Sequence, residues 1–88
     1  MLSIEFSNQS KKFLKNLDNH EAQRVIDRLE LLKKNPVPSD AKFIGRENGE
    51  KLFRYRIGNC RALYKIKEIE NIILITKIDK RPRVYDKI

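Results

Sequence analysis

The residues KLFRYRIGNCRALYKIK, numbered 51–67, decide the fold of this chain. Apolar and polar side chains alternate on both sides of Gly58-Asn59, a pair of residues that favours the two-residue turn of a β-hairpin. The pattern therefore predicts one strand at Lys51–Ile57 and a second, antiparallel strand at Arg61–Lys67. A two-residue turn also sets the register of the hairpin, and it places residue 56 directly opposite residue 61.

The two faces of the predicted hairpin differ in chemistry, because successive side chains of a strand point to opposite faces. One face is apolar and is predicted to join the core: Phe53, Tyr55, Ile57, Cys60, Ala62, Tyr64 and Ile66. The other face carries cations among two leucines: Arg54, Arg56, Arg61, Lys65 and Lys67. Like charges opposite one another destabilise a sheet, so this face is interpreted as functional. The alternative is a solvated surface on which the guanidinium groups point apart.

The segment before the hairpin predicts a strand and two helices. Alternation over residues 2–6 predicts an N-terminal strand, and apolar residues at three- and four-residue steps then predict two helices, separated at Asp18-Asn19. The second helix should end near Asn35, because Pro36 disfavours helix in the residue before it. Residues 36–50 hold prolines and glycines and are predicted to form a loop.

After the hairpin, residues 68–71 predict a turn, and the apolar run Ile72–Ile78 predicts a central strand covered on both faces. A short tail, Arg81–Tyr85, follows. The predicted class is α+β in a single domain over residues 1–88. Its order is an N-terminal strand, a helical hairpin and an antiparallel β-meander, with the helices packed on one sheet face.

The charge of the chain indicates a polyanionic partner. Twenty lysines and arginines against twelve acidic residues give a net charge of +8. Residues 1–44 hold eight basic and six acidic side chains, a net +2, whereas residues 45–88 hold twelve and six, a net +6. Such a basic half favours a partner such as nucleic acid, since cationic side chains displace counterions from phosphates. A lysine-rich solvated surface is the alternative.

The composition argues against a disulfide, a metal centre and a membrane span. Cys60 and His20 are single residues of their kinds, too few for an internal disulfide or a zinc site. The chain has no run of about 18 apolar residues, and its N-terminus lacks the apolar stretch of a signal peptide. We therefore expect a cytoplasmic protein that uses no metal and no small-molecule cofactor and that does not associate with membranes.

Two motifs resemble those of a known family. Residues 54–64, RYRIGNCRALY, resemble the RxRxGxxRxxY core of the RelE/ParE toxin superfamily. Residues 80–85, KRPRVY, resemble the closing motif of that family, in which a basic pair is followed by a tyrosine. The resemblance to the RelE-like branch implies a toxin that inhibits translation, namely a metal-independent endoribonuclease that cleaves messenger RNA in the ribosomal decoding site.

The resemblance also implies the residues of the site. The catalytic set that it implies combines hairpin and tail residues: Arg54, Arg56, Arg61, Lys80, Arg81 and Tyr85. The RNA-binding set is Lys51, Lys65 and Arg83. Lys80 stands where many relatives have histidine. Cys60 replaces the aromatic residue that usually precedes the third basic position of the core motif, Arg61.

The chemistry of RNA cleavage suits this set. Attack by the 2′-hydroxyl passes through a phosphorane with extra negative charge, which preorganised guanidinium groups stabilise. Arginine is a poor proton carrier, because its pKa stays above about 12. Proton transfer would then fall to Tyr85, Lys80 or Lys51. Glu50 is a further candidate base, since some relatives use a glutamate near this position.

A toxin of this family implies a cognate, RelB-like antitoxin, with the ribosome and messenger RNA as further partners. The exposed side of the helical hairpin and a sheet edge are the candidate docking surfaces for the antitoxin. Two other functions stay open: a ParE-like toxin that binds DNA gyrase without cutting RNA, and a plain nucleic-acid-binding module. Asp79 and Asp86 flank the cations of the tail, so an ion-paired, purely structural tail is open as well.

Overall fold

The computed structural model describes residues 2–80, in which two helices pack on one face of a five-stranded sheet. The elements are β1 (Ser3–Phe6), α1 (Asn8–Lys15), α2 (Asn19–Glu30), β2 (Lys42–Glu47), β3 (Glu50–Ile57), β4 (Cys60–Lys67) and β5 (Ile72–Lys80). A 3₁₀ turn, Leu31–Lys33, follows α2, so the regular helix ends earlier than predicted. The α+β class and the order of the elements are confirmed.

The strands lie in the order β1-β5-β4-β3-β2. From β2 to β5 the chain forms an antiparallel meander, and β1 joins β5 in parallel at the edge. Parallel neighbours cannot be joined by a tight turn. The two helices begin the connection by crossing one face of the sheet, and the chain then returns at the opposite edge as β2.

The first helix is fixed to β5 by serine hydroxyl groups. Ser7 is the N-cap, and its Oγ accepts a hydrogen bond of 3.1 Å from the backbone N–H of Ser10. Such a cap satisfies one of the free N–H groups at the helix start. The hydroxyl of Ser10 is completely buried and donates to the carbonyl oxygen of Ile75 at 3.1 Å.

The core lies between the helices and the apolar face of the hairpin. The residues predicted for that face are buried, apart from the partly buried Ile66: Phe53, Tyr55, Ile57, Cys60, Ala62 and Tyr64. Val25, Leu29 and Leu32 cover them from α2 and the 3₁₀ turn. Tyr64 donates a hydrogen bond of 2.7 Å to the carbonyl oxygen of Pro36, and burial raises the pKa of its hydroxyl.

The predicted loop over residues 36–50 is wrong in its second part, where β2 forms the edge of the sheet beside β3. Phe43 and Ile44 are adjacent apolar residues, and the register shifts between Phe43 and Gly45, which has φ of 139°. This bulge interrupts the period-two pattern by which a strand is recognised. Pairing with β3 therefore decides the conformation of this segment, not its own periodicity.

Strand β5 is interior, as predicted, but no element within residues 2–80 covers its second face. Ile73, Ile75 and Ile78 are completely buried beneath the helices, whereas Leu74 lies on the opposite face and is only partly buried. A bulge causes the three-residue step from Ile75 to Ile78, because Tyr64 pairs with Ile75 while Leu63 pairs with Lys77. The expectation of cover on both faces is therefore wrong for the described part of the chain.

We expect Leu29→Ala to lower the free energy of unfolding by about 2–5 kcal/mol, because it opens a cavity at a completely buried position. Leu31→Ala is the matched control two residues further on. Its side chain is 59% exposed, so the loss should stay below about 0.5 kcal/mol. Urea unfolding followed by circular dichroism measures both. Equal losses would contradict the packing of α2 described above.

Candidate nucleic-acid interface

The sheet face opposite the helices carries the three arginines of the hairpin, and we call their surface the arginine face: Arg54, Arg56 and Arg61. The predicted register is confirmed, with Arg56 paired with Arg61 and Ile57 with Cys60. Gly58 has φ of 57°, as the first position of a type II′ turn requires.

Packing beneath the hairpin fixes the direction of the arginine side chains. The rings of Phe53 and Tyr64 are stacked with centroids 5.3 Å apart, and both side chains are buried. Because neighbouring residues point to opposite faces, these buried rings force Arg54 outward. The same alternation places Arg56 and Arg61 outward beside Tyr55 and Cys60.

The charges on the arginine face are unevenly compensated. Arg54 and Arg56 make no ion pair within residues 2–80. Arg61 differs, because its Nε lies 3.7 Å from Oδ1 of Asp79 and its side chain is only 19% exposed. Asp79 also approaches Lys77, with Oδ2 3.8 Å from Nζ. This aspartate, considered above as a partner of the tail cations, therefore pairs with the arginine face.

Lys65 lies on the same sheet face but nearer its other end, in a network of ion pairs. Its Nζ is 2.6 Å from Oε1 of Glu47 and 3.7 Å from Oε1 of Glu50. Lys67 approaches the second oxygen of Glu50 at 3.3 Å. The hydrogen bond to Glu47 raises the pKa of Lys65, so its ammonium group remains charged. We call this group the ion-paired end. The charge of Lys65 and the carboxylate of Glu50 are both engaged there.

The register places the other predicted lysines on the helix side of the sheet. Lys51 pairs with Ile66, and Lys80 pairs with Cys60; both partners belong to the core face. Both lysines are exposed. Lys80 ends β5 beside the strand end that carries Arg61. The remaining predicted residues of the tail, Arg81, Arg83 and Tyr85, lie outside the described residues, as does Asp86, so their predictions stay predictions.

Two further lysines lie on the arginine face, and sequence reasoning missed both of them. Lys42 pairs with Arg54 and Lys77 pairs with Leu63, which places both on this face. Lys42 was missed because its segment was predicted to be a loop. Lys77 was missed because strict alternation from Leu74 would place residue 76 on this face. The bulge places residue 77 there instead.

Other kinds of site find little support in the described part of the chain. Within residues 2–80, no three His, Cys, Asp or Glu side chains are placed to share a metal ion. His20 is exposed at the start of α2, away from the arginine face. No helix in this range is long and apolar enough to cross a membrane.

This architecture, a mixed sheet with a basic face and a helical hairpin behind it, is that of a family of small toxins. The family model described as ParE toxin of type II toxin-antitoxin system, parDE, matches residues 4–85. A relative named RelE1, from Methanocaldococcus jannaschii, is 32% identical over 84 residues, covering 94% of this chain and 93% of that protein. The chain belongs to the RelE/ParE superfamily of toxins of type II toxin–antitoxin systems.

Solved structures agree with this assignment. RelE in the archaeal RelE–RelB complex from Pyrococcus horikoshii OT3 is similar with a TM-score of 0.82 and 25% identity, over 93% of this chain and 97% of that chain. The isolated RelE toxin of E. coli is similar with a TM-score of 0.78, over 99% of this chain and 94% of that chain. At 14% identity, the second likeness is one of fold alone.

We expect the ion pair of Glu47 and Lys65 to stabilise the protein except at strongly alkaline pH. The folded-state pKa of Lys65 is raised above 10.5, mainly by Glu47. Stability from such a group is complete below the unfolded pKa and is lost as the pH rises through the folded pKa. Glu47→Gln should therefore lower the free energy of unfolding at about pH 8, and its difference from the wild type should shrink above about pH 11.

Urea titrations at the two pH values measure this difference. Glu5→Gln is the control, because Glu5 is exposed and makes no ion pair within the described range. If Glu47→Gln lowers the free energy of unfolding by the same amount at the higher pH, the effect arises from packing and not from charge.

Proposed function

We propose that this toxin is a ribosome-dependent endoribonuclease that acts in the cytoplasm, cleaves messenger RNA in the decoding site and so inhibits translation. The observation that carries the proposal is the arginine face. Arg56 and Arg61 are directly opposite one another, and Arg54 and Arg56 lack an ion-pair partner in the described part of the chain.

An arrangement of this kind is unfavourable for the isolated protein and favourable in the presence of a phosphate. Directly opposite residues of antiparallel strands have Cα atoms about 4.5–5.5 Å apart, so like charges there repel. A phosphodiester placed over them receives two guanidinium groups at once, and planar guanidinium groups bind phosphate oxygens in pairs. The same groups stabilise the additional charge of the phosphorane.

The proposed roles follow from position. Arg56 and Arg61 contact the scissile phosphate, and Arg54, farther along β3, holds a neighbouring phosphate. The tail supplies further groups for the reaction, as the family resemblance implies: Lys80, Arg81 and Tyr85. The family resemblance implies that Lys51, Lys65 and Arg83 bind the RNA beyond the reacting phosphate, although Lys51 lies on the helix side of the sheet. Lys65 does so by exchanging part of its contact with Glu47 for a phosphate.

Weak acid–base groups explain the proposed dependence on the ribosome. The arginines stabilise charge but do not carry protons. Most of the rate would then come from holding the message with the 2′-hydroxyl in line with the leaving oxygen, and such positioning is worth about 7–11 kcal/mol in favourable cases. In this proposal the ribosome supplies that geometry and the toxin supplies the cations.

A RelB-like antitoxin is the proposed inhibitor, since RelE of Pyrococcus horikoshii is found in complex with RelB. The described surface offers apolar contacts for such a chain at the edge strand β2. Phe43 and Ile44 there are 54% and 43% exposed, and the outer edge of β2 is unpaired within residues 2–80. An added strand or helix would cover these side chains.

A ParE-like toxin that binds DNA gyrase is the second candidate, and the name of the matching family model favours it. It predicts inhibition of gyrase and an intact message. The arginine face favours cleavage instead, since a phosphodiester is the ligand that suits opposed guanidinium groups.

We expect the purified toxin to cleave messenger RNA on programmed ribosomes and to leave naked RNA nearly intact, because the ribosome holds the message in the reactive geometry. Primer extension maps the new ends, and a supercoiling assay with DNA gyrase runs in parallel. Rapid, unselective degradation of naked RNA would contradict ribosome dependence. Inhibition of gyrase without cleavage would establish the second candidate.

Substitutions on the arginine face should slow cleavage without unfolding the protein. Arg56→Ala and Arg61→Ala should each lower the single-turnover rate on ribosomes by roughly a hundredfold, the scale for losing one preorganised contact to the developing charge. Lys11→Ala is the control, because Lys11 is exposed on α1 behind the sheet. If all three variants cleave alike, the arginine face is not the site.

A further inference from the structure

Asp79 carries an unusual carboxylate. Its Oδ1 is the one buried side-chain nitrogen or oxygen atom without a hydrogen bond in the part of the chain that the structure describes. Two described cations approach the carboxylate: Nε of Arg61 lies 3.7 Å from Oδ1, and Nζ of Lys77 lies 3.8 Å from Oδ2. Both distances exceed those of a charged hydrogen bond, about 2.7–2.9 Å. An oxygen left in this state is unfavourable, and such groups call for an explanation.

The location of Asp79 suggests that explanation. Arg61 has Arg56 as its register partner on β3 and Asp79 as its register partner on β5. Arg61 therefore lies between a repelling cation and an attracting anion. The ion-paired end holds other acids, but Asp79 is the described acid that contacts the arginine face.

We propose that Asp79 is the positioning residue for Arg61. It attracts the guanidinium group through Nε and so orients the terminal nitrogens towards the scissile phosphate. Because the contact is an ion pair without a hydrogen bond, Arg61 can adjust to the phosphate without breaking a hydrogen bond to Asp79. The inference rests on the proposed ribonuclease function and adds to it a residue outside the cationic set.

This role has two consequences of opposite sign. The negative charge of Asp79 weakens the attraction of RNA to the arginine face, since it offsets a cation that would otherwise attract phosphate. The same charge speeds cleavage, because Arg61 is held where the phosphorane develops. A purely structural residue would change binding and cleavage in the same direction.

The test is Asp79→Asn, which keeps the shape of the side chain and removes its charge. The affinity for a 2′-O-methyl RNA, which cannot be cleaved, should tighten by about two- to fivefold at low salt, the size of one partly exposed charge interaction. Single-turnover cleavage on saturated ribosomes should fall by roughly tenfold to a hundredfold, as expected for a misplaced catalytic group. Thermal unfolding shows whether the variant is folded.

Two further variants complete the experiment. Glu5→Gln is the control, because it removes the same charge from the same sheet face. The register partner of Glu5 on β5 is Leu74, which lies five residues, or about 17 Å, from Asp79 along the strand. Glu5→Gln should leave the cleavage rate unchanged. Asp79→Glu keeps the charge, so it should retain the wild-type affinity and cleave faster than Asp79→Asn; it also serves as the test if Asp79→Asn does not fold.

The outcomes separate the two proposals. If Asp79→Asn binds more tightly and cleaves faster, Asp79 only competes with RNA, and the positioning role is overturned. If Asp79→Asn loses affinity, cleavage and thermal stability together, Asp79 has a structural role, and the positioning role is overturned in this case as well. If the wild type cleaves and Asp79→Asn cleaves at the same rate, only the role of Asp79 is overturned. If the wild type does not cleave, the proposed function itself is overturned.

Discussion

The pairing of β3 with β4 is the constraint on which the rest of the structure depends. Gly58 closes the turn between them, and the buried ring of Tyr64 fixes which side chains face the helices. A shift of one residue in this register would exchange the two faces, burying the arginines and exposing the aromatic rings. The same pairing therefore determines the core and brings Arg56 opposite Arg61.

The outer face of the sheet carries two electrostatic environments. At the ion-paired end, lysines and glutamates lie within 2.6–3.8 Å of one another and compensate each other. On the arginine face, the ion pairs among the described residues are the loose contacts of Asp79 with Arg61 and Lys77. A polyanion is therefore attracted most strongly to the surface where the protein has not already neutralised its own cations. This difference, more than the net charge, indicates where the proposed RNA substrate would bind.

Agreement between sequence and structure is best where the pattern is local. The hairpin, its register and its buried face follow from period-two alternation around a turn whose residues specify its geometry. The bulges in β2 and β5 interrupt the same alternation, so the strand at residues 42–47 and the outward position of Lys77 were missed. A bulge depends on the partner strand, and its position has no strong signal in the residues themselves.

The sequence by itself determined the α+β class, the resemblance to the RelE/ParE toxins and the position of three arginines on one face of the hairpin. Only the tertiary structure decided which cations are already neutralised. Glu47 and Lys65 are eighteen residues apart in sequence, as are Arg61 and Asp79, and strand pairing brings each pair together. Charge compensation depends on distances across strands, and those distances exist only after the sheet has formed.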